Sequence, residues 1–397
     1  MNFYSCRRAG GMDGHAVVVG GGIGGLAAAL ALHRAGWRTT VLEQTAEPRE
    51  LGTGLTLMAN ALRGLDALGV GDAVRSRSGA GTAGGLRDRG GRWLSRIDAA
   101  ELTRQLGTAA FGVHRATLHG ILRDALPPGA LRTDARVVDV TSGPDGARVH
   151  HRWRGEPSEL TAHLVVGADG LRSVLRSRLW PEVPPPVYAG ATAWRAAIHW
   201  PGPLPAAVSW GPGAEFGVVP LDEERLYWYA AVTAPPGWHA RDELAAVRAR
   251  FGDWHDPIPA LLAATRPEEL LRHDLHHLGT PLPSYVKGRV ALLGDAAHAM
   301  TPYLGQGAGQ AIEDAVTLGV ACAGGPADLD AALARYDRER RPRSQQVARA
   351  SDRVGRYGQR LRNPVAVALR DTLVRLTPSR AALRQAARYA DWHPPRR

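Results

Sequence analysis

Three stretches of this chain put glycines and acids where they can hold a phosphate-bearing, ring-containing ligand. The first is Gly20-x-Gly22-x-x-Gly25, followed by Glu43. Gly20 suits a tight turn, Gly22 lets a pyrophosphate approach the backbone, and Gly25 lets a helix pack closely on a strand. The helix that opens there offers free N–H groups and partial positive charge to phosphates. Glu43 can accept hydrogen bonds from a ribose diol. An acid there, rather than an arginine, fits an unphosphorylated ribose, and therefore FAD or NAD but not NADP.

The second stretch is "VVGADGLRSVLR", residues 165–176. Asp169-Gly170 sits in a turn between a strand and a helix that carries Ser173 and Arg176; alone, it reads as a simple strand–turn–helix join. The third is "GRVALLGDAAHAMTPYLGQGAGQAIEDA", residues 288–315. Here an apolar strand runs into Gly294, and Asp295 is placed to accept from polyol hydroxyls. Pro302 fixes φ and donates nothing. Gly305, Gly307 and Gly309, with Ala308 among them, leave backbone N–H groups bare at the start of a helix that runs to about Gly319. No acid occurs between Asp295 and Glu313, so that helix end is positive and unneutralised. It suits a flat anionic group such as the N1–C2=O edge of a reduced flavin.

The elements that must position these residues follow from periodicity. "HAVVVGGGIGGLAAALALHRAGWRTTVLEQ" reads as strand (Ala16–Val19), glycine turn, alanine-rich helix (Leu26–Arg34) capped by Gly36, then strand (Thr39–Leu42) with Glu43 at its tip. Amphipathic helices are expected at Asn60–Leu68 and His114–Leu126, with short strands and glycine turns over 80–98. "WPEVPPPVYAG" is proline-rich and marks a boundary. Residues 188–285 alternate with period two and are rich in aromatics, which predicts an antiparallel sheet. The α/β pattern returns at Arg289, and from Leu329 the chain is helical and arginine-rich.

Composition limits the function classes. The chain has 397 residues, 44% hydrophobic and 22% charged, with a formal net charge of +11. Its basic residues include a single lysine, Lys287. Arginine spread along the chain is not the clustered footprint of a nucleic-acid binder, and no nucleic-acid partner is expected. Two cysteines, Cys6 and Cys322, make neither a disulfide framework nor a zinc site and fit a cytoplasmic protein. His273, His276 and His277 lie in a strand-like run with no cysteine or carboxylate cluster, so no metal site is expected. Arg7-Arg8 before an apolar run imitates an export signal, but glycines break that run. Residues 1–12 are read as a disordered leader, with Met12 as an alternative start. No stretch approaches the ~20 apolar residues of a membrane span, so no membrane partner is expected.

The three stretches, in this order, resemble the class A flavin-dependent monooxygenases, the para-hydroxybenzoate hydroxylase-like and salicylate hydroxylase-like proteins. The resemblance rests on Gly20, Gly22, Gly25 and Glu43, on "VGADGLRSVLR" and on "GDAAHAMTPYLGQGAGQAIEDA". "GTGLTLMANALRGLDALG", "HRATLHGIL" and "YAGATAWRAAI" extend it over about 13–393. It implies an α/β fold: a Rossmann-like FAD-binding domain (13–78, 101–183 and 286–345), an inserted, mostly antiparallel substrate domain (79–100 and 184–285) and a C-terminal helical segment (346–397). It implies that Gly20, Gly22, Gly25 and Glu43 hold the ADP part of FAD and that Arg115 meets the phosphate or ribityl region. Asp169 and Gly170 serve FAD and the nicotinamide, Asp295 the ribityl chain, and Pro302 through Ala308 line the ring. Gln44 stands where many relatives carry Arg or Lys.

The reaction implied uses NADH or NADPH and O2, through a flavin C4a-hydroperoxide, to hydroxylate an electron-rich aromatic small molecule. Excluding water and orienting the ring are the protein's tasks. Arg195 is a candidate partner for a phenolate or carboxylate. Alternation puts Trp194 in the core and Arg195 on the opposite face. Tyr227 and Tyr229 share a face opposite Trp228, and Phe216 is expected in the core. Tyr303 is expected near the flavin, and His298 is a candidate base or a support for the loop. An epoxidase, an oxidative decarboxylase and a catalytically silent FAD-binding protein remain open on this scaffold. A nicotinamide dehydrogenase explains only the first stretch. A flavin-dependent halogenase needs a catalytic lysine and a Trp-x-Trp-x-Ile-Pro segment, which the chain lacks. A monomer or homodimer is expected.

Overall fold

A computed structural model describes residues 14–47, 53–80, 84–96 and 98–396 of the chain. The expected leader and Cys6 lie outside the described residues. The β-branched run at the start forms strand β1 (His15–Val19), and the helix after the glycine turn is α1 (Ile23–Arg34). Strand β2 (Arg38–Leu42) pairs parallel with β1, Ala16 opposite Thr39. The helix begins three residues earlier than expected and contains Gly24 and Gly25. Close packing accounts for this: a Cβ on Gly25 would lie 1.9 Å from the carbonyl oxygen of Gly20, and one on Gly24 would lie 2.9 Å from Leu293. Gly20 itself has φ +105, and a Cβ there would sit 2.3 Å from the Ala168 carbonyl oxygen. These glycines are fixed by the fold before any ligand is considered.

Helices α2 (Ala59–Ala67) and α3 (Arg115–Asp124) follow, then strands β3 (Leu131–Arg132) and β4 (Leu164–Gly167). The expected antiparallel segment supplies β5 (Val187–His199), β6 (Ala214–Pro220), β7 (Arg225–Thr233) and β8 (Leu271–His277). The chain returns to the first sheet through β9 (Val290–Leu292), then forms α4 (Gly307–Ala321) and the long α5 (Leu329–Tyr357). Helix α6 (Pro364–Leu376) and a last helix, Ser379–Ala390, complete the chain.

The first sheet runs Val286–Lys287, β9, β4, β1, β2, β3. All of its pairs are parallel except the one at the Val286–Lys287 edge. The chain leaves β1 toward β2 on one side and returns through β4 and β9 on the other. Parallel sheets bind ligands outside the carboxyl ends of their strands at such a reversal of order. The three glycine-and-acid stretches leave the carboxyl ends of β1, β4 and β9, three adjacent strands.

The second sheet has seven strands in the order β8, β5, β7, β6, Ala207–Gly211, Gly85–Asp88, Trp93–Arg96. It is antiparallel except between Ala207–Gly211 and Gly85–Asp88. Its two faces divide as the alternation requires. Trp194, Ile198, Phe216 and Trp228 face a core closed by helices Glu243–Phe251 and Ile258–Ala264, and Phe216 stacks on Trp228 at 5.3 Å. The opposite face carries Ala191, Ala193, Ala231 and Leu275. In register with them, Arg195 lies opposite Tyr229 and Ala197 opposite Tyr227.

Candidate active site

At the end of β1 the turn is held from both flanks. The Gly20 N–H donates to the Leu42 carbonyl (2.8 Å), and the Gly21 N–H donates to Glu43 Oε2 (2.7 Å). Glu43 Oε1 accepts from the Thr45 N–H (2.8 Å), and His119 Nε2 lies 2.8 Å from the Gly21 carbonyl. A carboxylate has about four acceptor sites, so two bonds leave Glu43 capacity for a diol.

At the end of β4, Asp169 Oδ2 accepts from the N–H groups of Val174 (2.7 Å) and Leu175 (3.2 Å), while Oδ1 is buried without a partner. Burial raises the Asp169 pKa, against the bonds that favour its charge. Gly170 takes φ +77 in the turn after it. Arg176, 3% exposed, ties this stretch to the third: its Nη1 donates to the Ala296 carbonyl at 3.0 Å and its Nη2 to that of Leu171. Desolvation lowers its pKa, and Asp169 and Asp295 oppose that.

The third stretch hangs on buried charge. The Gly294 N–H donates to Asp314 Oδ2 (3.0 Å), and His298 Nε2 reaches the same oxygen at 2.6 Å. Arg340 of α5 donates from Nε to Asp314 Oδ1 (2.7 Å) and from Nη1 to Glu313. Despite the desolvation that would raise it, the Asp314 carboxyl is drawn down to about 2 by His298 and Arg340. Glu313 also accepts from Arg343, Gln310 and Asn60. Above this network, Pro302–Leu304 form one tight turn that ends at Gly305 (φ +62), and α4 starts at Gly307 with no acid in its first turn and no side-chain cap. Pro302 and Gly305 are exposed, Gly307 and Ala308 half-buried.

Four expected residues converge between the two sheets. The Arg115 guanidinium is open to solvent yet ringed by protein. Desolvation pulls its pKa down, Asp295 pulls it back, Arg195 lowers it further and Tyr227 opposes. Arg115, Asp295, Arg195 and Tyr227 are therefore electrostatic neighbours. Arg195 is within hydrogen-bonding reach of the Tyr227 hydroxyl, and burial outweighs that cation in raising the Tyr227 pKa.

Two residues expected near the chemistry, His298 and Tyr303, are held by distant parts of the chain, and Tyr303 also packs on the Ala191, Ala193 and Ala231 face of the second sheet. The His298 ring is 3% exposed, with Nε2 engaged by Asp314 and Tyr285 beside it. It supports the loop through Asp314, while its Nδ1 is buried without a partner. The Tyr303 ring packs where a Cβ on Gly355 of α5 would stand, and its hydroxyl donates to Gln359 (2.9 Å). The glycine-free run from Met300 to Leu304 gave no hint that this ring turns toward the C-terminal helix.

Sequence reasoning also missed residues. Asn60 bridges α2 to the start of α4 through Gln306 (2.8 Å), and its Oδ1 is buried and unpartnered. Glu215 stands on the crevice-side face of β6, fully buried, with Trp210 Nε1 at 3.2 Å. Desolvation raises its pKa to about 7. Adjacent acids at 313 and 314 inside an apolar helix were the one visible signal of the ion network. Among the described residues no group of three or more His, Cys, Asp or Glu is arranged to hold a metal.

The residues fit FAD. A Cβ on Gly22 or on Gly307 would meet nothing within 4 Å, so both helix starts face open space. The oxygens Asp169 Oδ1 and Asn60 Oδ1 are buried without a protein partner.

Comparison with known proteins agrees with this geometry. The family pattern described as "FAD binding domain" matches residues 13–351. The chain is 37% identical over 370 residues to the aurachin C monooxygenase/isomerase of Stigmatella aurantiaca, covering 91% of this chain and 94% of that one. It is 34% identical over 384 residues to a 2-heptyl-3-hydroxy-4(1H)-quinolone synthase of Pseudomonas aeruginosa, covering 91% and 94%. The crystal structure of Klebsiella pneumoniae HpxO with FAD and uric acid superposes with a TM-score of 0.88 at 27% identity, over 95% of this chain and 96% of that one.

Proposed function

Because the chain belongs to the FAD binding domain family, among the FAD-dependent aromatic monooxygenases, we propose that it hydroxylates a bicyclic nitrogen heteroaromatic of the quinolone class, with O2 as the oxygen donor. That it is an FAD-dependent monooxygenase of an electron-rich aromatic, with NAD(P)H as co-substrate, follows from its relatives. The finer substrate assignment rests on one observation: Arg195 and Tyr227 of the second sheet are electrostatic neighbours of Arg115 and Asp295.

In the proposed site, Gly20, Gly22 and Gly25 bring the α1 N-terminus to the pyrophosphate, Glu43 takes the ribose, and Arg115, Asp169, Gly170 and Asp295 take the middle of the cofactor. Pro302, Gly305, Gly307 and Ala308 border the ring. FAD, when bound, supplies the redox chemistry with the nicotinamide and oxygen. The chain's own residues bind, orient and exclude water. Arg195 offers a charge and Tyr227 a hydroxyl to an oxygen on the substrate ring. Burial keeps that phenol neutral, so it stays a donor at neutral pH. Two relatives named for aurachin C and a quinolone support this class. We assign 13–78, 101–183 and 286–345 to the cofactor side, 79–100 and 184–285 to the substrate side, and 346–397 to the supporting helices.

The test is an NAD(P)H-oxidation screen of quinolones, phenols, salicylates, indoles and urate, with products weighed for one added oxygen. Quinolones should stimulate oxidation most, and Arg195→Gln should raise KM more than it lowers kcat. If phenols without a ring nitrogen match the quinolones, the substrate class is wrong; if nothing gains oxygen, the hydroxylation is.

A further inference from the structure

The last 45 residues carry a feature that the active site does not use. Helix α6 has no buried residue among its thirteen. It packs on the strand Trp93–Arg96 and is anchored by Arg370, whose Nη1 donates to the Gly358 carbonyl (2.7 Å) and whose guanidinium lies over Trp210. Its outer side is apolar: Val365 is 77% exposed, Leu369 60%, Leu373 58% and Leu376 73%. At about 100° per residue these four fall within roughly 80° of arc, one continuous stripe. Among the described residues nothing covers it. Isolated exposed apolar residues need no explanation, but a contiguous row of four marks an interaction surface.

The charge around the stripe indicates its partner. Residues 353–397 hold eleven arginines against two acids, Asp371 and Asp391. Read along the whole chain the arginines look evenly spread, yet this end is enriched in them. Arg362, Arg375, Arg380, Arg384 and Arg388 are exposed, and none has a carboxylate partner among the described residues. An apolar stripe on a helix that carries Arg375, follows Arg362 and leads into a helix with Arg380, Arg384 and Arg388 has the composition of a segment that lies in the plane of a membrane interface. A symmetric pairing with a second copy would set these arginines against their own images, and like charges oppose that.

We propose that α6 docks the protein on an anionic lipid surface, with Val365, Leu369, Leu373 and Leu376 entering the headgroup boundary and the flanking arginines meeting the lipid charge. No helix of the described residues is long and apolar enough to cross a membrane. The expectation of no membrane partner rested on the lack of such a span, which in-plane docking does not require. The proposal is independent of which aromatic the enzyme hydroxylates.

The test is flotation of the FAD-loaded full chain with vesicles of phosphatidylcholine alone and of phosphatidylcholine with phosphatidylglycerol, at about 50 mM and about 500 mM salt. The expected result is binding to the anionic vesicles only, lost at high salt. Leu369→Ser with Leu373→Ser should cut binding at least ~10-fold with flavin absorbance and melting temperature unchanged, since both side chains are exposed. Changing Arg375, Arg380 and Arg384 to Gln should weaken it by roughly fivefold per arginine. Absence from anionic vesicles, equal binding to neutral ones, or full binding by the leucine variant overturns the proposal. So does a dimer in sedimentation velocity that the leucine variant converts to monomer.

Discussion

Gly22→Ala separates a cofactor role from a structural one. Gly22 precedes α1 with φ −71 and ψ 178, a conformation open to alanine, and a Cβ there meets nothing within 4 Å. The apo fold therefore accepts the methyl. Lower unfolded-state entropy should stabilise it by about 0.4–1 kcal/mol. At about 2.1 cal/mol/K of unfolding entropy per residue, 397 residues turn this into a rise of roughly 0.5–1 °C. Bound FAD changes the sign. If the pyrophosphate approaches the backbone there, the methyl occupies its space, and overpacking costs about 1–3 kcal/mol. That is a loss of roughly 5- to 150-fold in FAD affinity. Gly25→Ala is the contrast: its Cβ would lie 1.9 Å from the Gly20 carbonyl oxygen, so it should damage the apo fold itself. The assay is thermal unfolding of apo protein beside FAD titration by fluorescence quenching. FAD affinity within twofold of the parent, with the apo protein intact, would refute the assignment of this turn to the pyrophosphate.

Three further outcomes are expected. Glu215, with a folded pKa of about 7 against 4.5, binds its proton more tightly when folded, so stability declines as pH rises from 4.5 to 7, by about 3 kcal/mol; Glu215→Gln should remove that decline, read as melting temperature at pH 5 and pH 8. Arg340→Met leaves Asp314 and Glu313 buried with less compensation, at about 3–5 kcal/mol, or roughly 4–6 °C by the same entropy; a change below about 1 °C would show the network contributes little. Asp295→Ala should weaken flavin retention, and full yellow colour after dialysis would count against its place on the ribityl chain.

Sequence read the fold well where one residue type answers one physical demand. Gly20, Gly25 and Glu43 each had a single reading because a turn, a close approach and an acceptor leave few alternatives. Period-two alternation placed Trp194 in the core with Arg195 on the opposite face, and Trp228 opposite Tyr227 and Tyr229, because a strand has only two faces. It did not foresee the partners of Tyr303 and His298, because neither is governed by local spacing. Tyr303 turns toward a hollow made by Gly355, and His298 toward Asp314, partners supplied by distant parts of the chain. Asn60 and Glu215 escaped notice for the same reason: only the packing of two sheets against α4 and α5 gives them meaning.

The proposed substrate wall explains why a tyrosine, not a carboxylate, stands beside Arg195. Arg115 and Arg195 face one crevice, and each disfavours the other's charge, with Asp295 opposing from the third stretch. A carboxylate at 227 would neutralise Arg195 and leave it little pull on a ligand. A buried phenol is different. Its pKa is raised by burial, so it stays neutral at physiological pH and sits beside Arg195 without cancelling its charge. The guanidinium's field then remains available to an oxygen-bearing ring entering between the two arginines. Such a ring gains from both cations at once and relieves their mutual repulsion, so aromatics that carry an oxygen on the ring should be favoured over those of the same size without one.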